Sequence, residues 1–222
     1  MGATRFDLDQ YGMTHHCPLC KTQSLPFYED QKHLFHHCPK CFAIFRDPEQ
    51  FLIQSEERKR YLHHKGAVDD KGYYEFVKPM IKEVKRHCQR GDAGLDFGCG
   101  HTPVLSEHLK NEGFAMSIFD PIFHHDIGVL QPGYQFIVCC EVIEHFYDPL
   151  KEFKKLYDLL LPGGKLICKT HIFDDSIQFG GWYYKNDPSH VIIYRDRTFE
   201  WIRESCRFGD VKIEERVITF SK

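Results

Sequence analysis

The 222-residue chain is 42% hydrophobic and 14% aromatic, with a net charge of −3 when histidine is neutral. This composition excludes a disordered or fibrous protein, allows one ordinary domain plus a small module, and gives no general electrostatic reason for nucleic-acid binding. No run of about 18 apolar residues occurs, so no membrane span is expected, and the N-terminus lacks the apolar core of a secretory signal.

The first informative segment carries Cys17-Pro18-Leu19-Cys20 and Cys38-Pro39-Lys40-Cys41, separated by seventeen residues. A C-x-x-C turn aims two thiolates at one ion, and two such turns complete a tetrahedral site. The spacing predicts structural zinc on Cys17, Cys20, Cys38 and Cys41, in a ribbon whose short strands lie between the pairs. A redox disulfide pair and unligated thiols are the other readings. Six further cysteines fall in predicted strands and helices, a reduced, cytoplasmic pattern rather than a disulfide framework. The module is expected over residues 1–50.

Residues 51–72 read as a connecting helix and a polar loop. A helix follows over Tyr73–His87, with Phe76, Val77, Met80, Ile81 and Val84 on one stripe and Pro79 as a possible kink. Gly94-Leu95-Asp96-Phe97 is then a strand ending in Gly98-Cys99-Gly100. Glycines at 98 and 100 allow a sharp turn and a close approach of backbone to ligand. Thr102 is expected to cap the next helix, with Pro103 in its first position. A second strand, Phe114–Phe119, ends at Asp120, placed to accept hydrogen bonds from ribose hydroxyls.

The cofactor follows from what this loop lacks. Pro103 occupies the place of the third glycine of a phosphate cradle, and Asp96 would repel a phosphate. Asp96 suits an ammonium group instead, so S-adenosylmethionine fits better than a dinucleotide. A nicotinamide-binding or ligand-free domain is the competing reading. Tyr134–Cys140 is a buried parallel strand by its continuous apolar run. Glu141-Val142-Ile143-Glu144-His145 follows, then a helix over Leu150–Leu161, a Leu161-Pro162-Gly163-Gly164 break and a strand at Lys165–Thr170. Phe173–Pro188 is expected to be a lid or substrate loop hinged at Gly180-Gly181, leading to His190 and Val191–Tyr194. Thr198 is expected to cap the helix at 199–205, before final strands at 211–213 and 217–220.

In this order the chain resembles the class I S-adenosylmethionine-dependent methyltransferases from Tyr73 onward. It also looks like a group of uncharacterised bacterial methyltransferases with an N-terminal zinc-ribbon-like module. The resemblance implies an α/β, Rossmann-like, mostly parallel seven-stranded sheet with helices on both faces, a methyltransferase domain over 73–222 beside the small ribbon. It implies that Asp96, Gly98, Cys99 and Gly100 hold the amino-acid tail, Asp120 the ribose, and Cys140 and Glu141 line the donor site. His145, Glu144 and His190 are the candidate catalytic residues.

Glu141, Glu144 and His145 stand at i, i+3 and i+4, one face if the chain is helical there. With His190 they could hold Mg²⁺ or Mn²⁺, and the segment is similar to the E-x-x-E-H of small-RNA 2′-O-methyltransferases. A metal-free reading makes His145 a general base. The expected acceptor is an oxygen or nitrogen of a small molecule, favoured over RNA because no basic surface is evident. An RNA-modifying enzyme and a non-catalytic cofactor-binding module stay open.

Overall fold

In the computed structural model, which describes residues 15–62 and 71–222, the two cysteine pairs sit in tight turns around a small antiparallel sheet. Strands β1 (Leu25–Glu29), β2 (Leu34–His37) and β3 (Ile44–Arg46) form it in sequence order. A 3-10 turn at Pro48–Gln50 and helix α1 (Gln54–Leu62) lead away from it. The first fourteen residues of the expected module, and most of the polar loop expected before Tyr73, lie outside the described residues.

Helix α2 (Lys71–His87) runs without interruption through Pro79 and buries Val77, Met80, Ile81 and Val84 along one stripe. Each fully buried side chain of this size contributes about 1.5–3 kcal/mol by transfer from water. The chain then alternates strand and helix: β4 (Ala93–Phe97), α3 (Val104–Asn111), β5 (Ala115–Phe119), β6 (Tyr134–Cys140), α4 (Pro149–Leu159) and β7 (Leu160–Lys169). The pairs β4–β5, β4–β6 and β6–β7 are parallel. The order is completed by β8 (Ile192–Ile193), α5 (Asp196–Cys206), β9 (Asp210–Glu214) and β10 (Val217–Ser221). The last two form a hairpin that lies antiparallel beside β7.

Among the described residues the main sheet therefore has six strands, in the order β5-β4-β6-β7-β10-β9, rather than the expected seven. The extended segment before α5 supplies the difference. Ile192 and Ile193 pair with Phe45 and Ile44 of the ribbon, making β8 the fourth strand of the small sheet. One apolar cluster accordingly runs from Cys17, Leu19, Cys38, Cys41 and Phe45 to Phe153 of α4, Phe199 and Ile202 of α5, and Leu95 and Ile137 of the main sheet. The stripe of α2 and Leu105 and Leu109 of α3 cover the other face, around Phe136 and Val138.

Three local expectations are revised. Thr102 does not cap α3. Pro103 occupies the N-cap position, with no side-chain cap bond. The last main helix begins at Asp196, and Thr198 acts from its third position, accepting the N–H of Arg195. Leu161–Gly164 lies within β7, as an excursion between Leu160, opposite Tyr134, and Lys165, opposite Phe136. Gly163 there takes a left-handed φ of +80°. Among the described residues, no helix is long and apolar enough to cross a membrane.

Candidate functional site

The carboxyl ends of β4, β5, β6 and β7 meet at one edge of the sheet, where open α/β folds bind ligands. Gly98 and Gly100 turn the chain there with φ of +79° and +68°. A Cβ on Gly98 would stand 2.6 Å from the Val142 side chain, whereas one on Gly100 would meet nothing within 4 Å. The loop thus packs on one side and leaves bare backbone on the other. Gly98 N–H donates to Phe119 O at 2.8 Å. Asp120 takes three backbone donors: Gly100 N on Oδ2 at 3.0 Å, and Ile122 N and Phe123 N on Oδ1 at 2.8 and 3.0 Å.

Asp96 is buried, accepts the Ser106 hydroxyl at 2.8 Å, and is pushed up to about 6 by burial, with Asp120 adding to the shift. Burial also raises the thiols of Cys99 and Cys140. Tyr73 of α2 faces Cys140, Asp96 and Glu141, and burial followed by those charges raises its phenol. The edge is therefore rich in carboxyl groups, a setting that favours a cationic ligand.

The segment after β6 departs from the expected helical face. Glu141 has a left-handed φ of +53°, and only a 3-10 turn follows, over Ile143–His145. Glu141 pairs with Arg216 at 2.6 Å, while Glu144 and His145 join His190. One nitrogen of each imidazole and one oxygen of Glu144 lie within 4.8 Å of one another. Glu141 is not part of that group, because the left-handed turn and the shorter helical step destroy the i, i+3, i+4 alignment.

Glu144 is fully buried. Its Oε1 accepts the Tyr184 hydroxyl at 2.7 Å, Thr170 Oγ1 stands 2.8 Å from that same hydroxyl, and Oε2 has no hydrogen-bond partner. Burial, chiefly, lifts its carboxyl to about 7, and burial with the Glu144 charge does the same to Glu141. His145 Nδ1 lies 2.9 Å from Ser189 O, and His190 Nδ1 lies 2.8 Å from Tyr184 O. A carbonyl can only accept, so each Nδ1 carries the proton and each Nε2 the lone pair. Burial lowers both imidazoles, His190 to about 4, and keeps them neutral.

The segment expected to be a hinged lid is a packed wall. Gly180 and Gly181 sit in a 3-10 turn, and the buried Phe179 ring meets Phe27, Tyr28 and Phe35 of the ribbon edge to face. Sequence reasoning missed Arg216, Thr170 and the phenol of Tyr184. Arg216 occupies a hairpin turn with no motif around it, while Tyr184 stands in the run Trp182-Tyr183-Tyr184 with no sign of its partner.

At the ribbon, Cys17 Sγ lies 3.5 Å from Cys41 Sγ and Cys20 Sγ lies 3.3 Å from Cys38 Sγ. A disulfide needs about 2.05 Å, whereas thiolates on one tetrahedral zinc stand about 3.8 Å apart. Both turns are closed by backbone bonds, Lys21 N to Cys17 O and Phe42 N to Cys38 O, with Lys21 and Phe42 left-handed. The four thiols fit zinc, which would cross-link the ribbon.

The sequence pattern described as a methyltransferase domain matches residues 70–207, more than half of the chain. A ubiquinone biosynthesis O-methyltransferase of Ruegeria pomeroyi is 33% identical over 81 residues, covering 35% of this chain and 31% of that protein. The chain thus aligns with about a third of that relative. Two solved structures share the fold. An O-methyltransferase family protein of Burkholderia thailandensis has a TM-score of 0.52 at 11% identity, over 74% of this chain and 61% of that one. A 1,6-didemethyltoxoflavin-N1-methyltransferase of the same organism, solved with 1,6-didemethyltoxoflavin and S-adenosylhomocysteine, has a TM-score of 0.52 at 12% identity, over 89% and 98%.

Proposed function

Because the chain belongs to the methyltransferase domain family, we propose that it moves a methyl group from S-adenosylmethionine to an oxygen or nitrogen of a small molecule. The cofactor supplies an electrophilic methyl on a sulfonium. The chain's own residues align the two reactants and handle the acceptor's proton. Asp96, Gly98, Cys99 and Gly100 would take the amino-acid tail, with the bare backbone at Gly100 as its floor. A carboxylate has about four lone-pair sites, so the three backbone donors on Asp120 leave about one for a ribose hydroxyl. Cys140 and Glu141 would line the donor side. A reducing, cytoplasmic setting suits the four thiols.

One observation carries the acceptor side: two imidazoles with Nδ1–H tied to backbone carbonyls flank a buried carboxyl with one unpartnered oxygen. In that tautomer His145 Nε2 is the basic nitrogen and the candidate base, while burial holds His190 at about 4. Glu144 would stabilise the imidazolium that forms.

The same donor set supports a second reading. Two imidazoles fixed through Nδ1 and one carboxylate can hold a divalent cation with open positions, and the histidines favour Mn²⁺ over Mg²⁺. Glu144, His145 and His190 would be the ligands, with Glu141 left to Arg216. The ion would lower the acceptor's pKa.

Tritium-labelled S-adenosylmethionine incubated with separated cell extracts tests the reading. Label should enter the small-molecule fraction, and His145→Ala should abolish it. Label in RNA would favour the nucleic-acid alternative. Cofactor binding with no label in any fraction would leave a non-catalytic module. Loss of transfer on chelation, restored by Mn²⁺ with ribbon zinc unchanged, would select the metal-assisted form.

A further inference from the structure

We propose that Arg46 is the positioning residue through which the ribbon fixes His190. The proposal rests on His190 belonging to the acceptor side, as argued above. Arg46 ends β3 and is buried. Its Nη2 donates to Lys185 O at 2.8 Å and Asp187 O at 2.9 Å, and its Nε donates to His190 O at 3.3 Å. Its backbone N–H donates to Val191 O at 3.0 Å. One guanidinium fork therefore sets the carbonyls of the loop that ends in His190.

Stability alone explains this poorly. A buried guanidinium held by carbonyls, with the Asp187 and Asp30 charges acting on it from beyond salt-bridge distance, carries a desolvation cost that an apolar side chain would avoid. What the fork provides is a fixed shape. The same loop is tied from two further points, Lys185 Nζ to Asp30 Oδ2 at 3.1 Å and Arg60 Nη2 to Asp187 Oδ2 at 2.8 Å. The strand that follows it pairs with β3, and Val191 N donates to Glu144 O at 2.9 Å. A short path thus runs from the Cys38–Cys41 turn along β3 to His190 and Glu144. The ribbon acts on the chemistry by holding its residues, and it need not touch the acceptor.

The test uses the full-length protein with ¹⁵N-labelled histidine, and reads the His190 ring by long-range proton–nitrogen correlation. The wild type should show one tautomer, protonated at Nδ1. Arg46→Met should mix the two tautomers. Zinc content should stay at the wild-type value and S-adenosylhomocysteine affinity within about twofold. Arg46→Lys, with a single donor group, should fall between. An unchanged His190 tautomer in folded Arg46→Met overturns the proposal. If that variant does not fold, an unchanged ring in Arg46→Lys overturns it equally. The readout is an imidazole and not methyl transfer, so failure of the enzymatic reading shows separately.

Discussion

The backbone N–H of Gly100 donates to the carboxylate of Asp120 at 3.0 Å. One side chain thereby joins the turn after β4 to the end of β5, and its other oxygen collects the N–H groups of Ile122 and Phe123. Asp120→Asn replaces an acceptor oxygen with an amide donor among these backbone donors. Leaving such groups unsatisfied costs about 1–3 kcal/mol. The variant should lose stability of that order in chemical denaturation and bind S-adenosylhomocysteine about 10–100-fold more weakly. Unchanged affinity would remove Asp120 from the cofactor site.

Glu144 predicts a variant that gains stability while losing function. Its carboxyl rises from 4.5 to about 7 on folding. A raised folded-state value means that the folded state binds more protons than the unfolded chain between those pH values. The contribution is fully present below 4.5 and is lost as pH rises through about 7. Glu144→Gln carries no charge to bury, so at pH 8 it should be more stable than wild type by roughly 3 kcal/mol. At pH 4.5 the two should be nearly equal. Equal stability at both pH values would show that the buried carboxyl is not strained by its surroundings.

The same carboxyl groups predict proton release on cofactor binding. Asp96 at about 6, and Glu141 and Glu144 at about 7, are partly protonated near neutrality. A cation beside them favours their ionised forms. Titration of S-adenosylmethionine near pH 6.5, in buffers of different ionisation enthalpy, should show net proton release. S-adenosylhomocysteine, which lacks the sulfonium charge, should release fewer. Proton uptake would contradict this electrostatic picture.

Zinc loss should be felt beyond the ribbon. One zinc per chain is expected, lost when Cys20 and Cys38 are both replaced by serine. Because β3 pairs with β8, amide exchange at Ile192 and Ile193 should accelerate together with that of Ile44 and Phe45. The β4–β6 ladder should stay protected. Metal-free protein with unchanged exchange at Ile192 would contradict the coupling.

Much of this site was legible in the sequence, because some positions admit few residue types. Left-handed turns at 98 and 100 ask for glycine, and the paired cysteine turns fix their own spacing. The parallel strands read as apolar runs, and the order of motifs from Asp96 to Gly164 carried the fold class. What stayed hidden depends on partners distant in sequence. Whether Ile192 and Ile193 pair with the main sheet or with the ribbon is not written in two isoleucines. The separation of Glu141 from Glu144 comes from a left-handed φ at a non-glycine residue and from Arg216, 75 residues away. Arg46 stands between Phe45 and Asp47 with no motif around it, and only the fold shows that its fork reaches residues 185–190.

The central claim is that the glycine turn and Asp120 hold S-adenosylmethionine. Calorimetric titration of the zinc-loaded protein with S-adenosylhomocysteine tests it most directly, with NAD titrated in parallel. One S-adenosylhomocysteine site per chain, weakened by Asp120→Asn, and no NAD binding are expected. Tight NAD binding with no response to S-adenosylhomocysteine would contradict it.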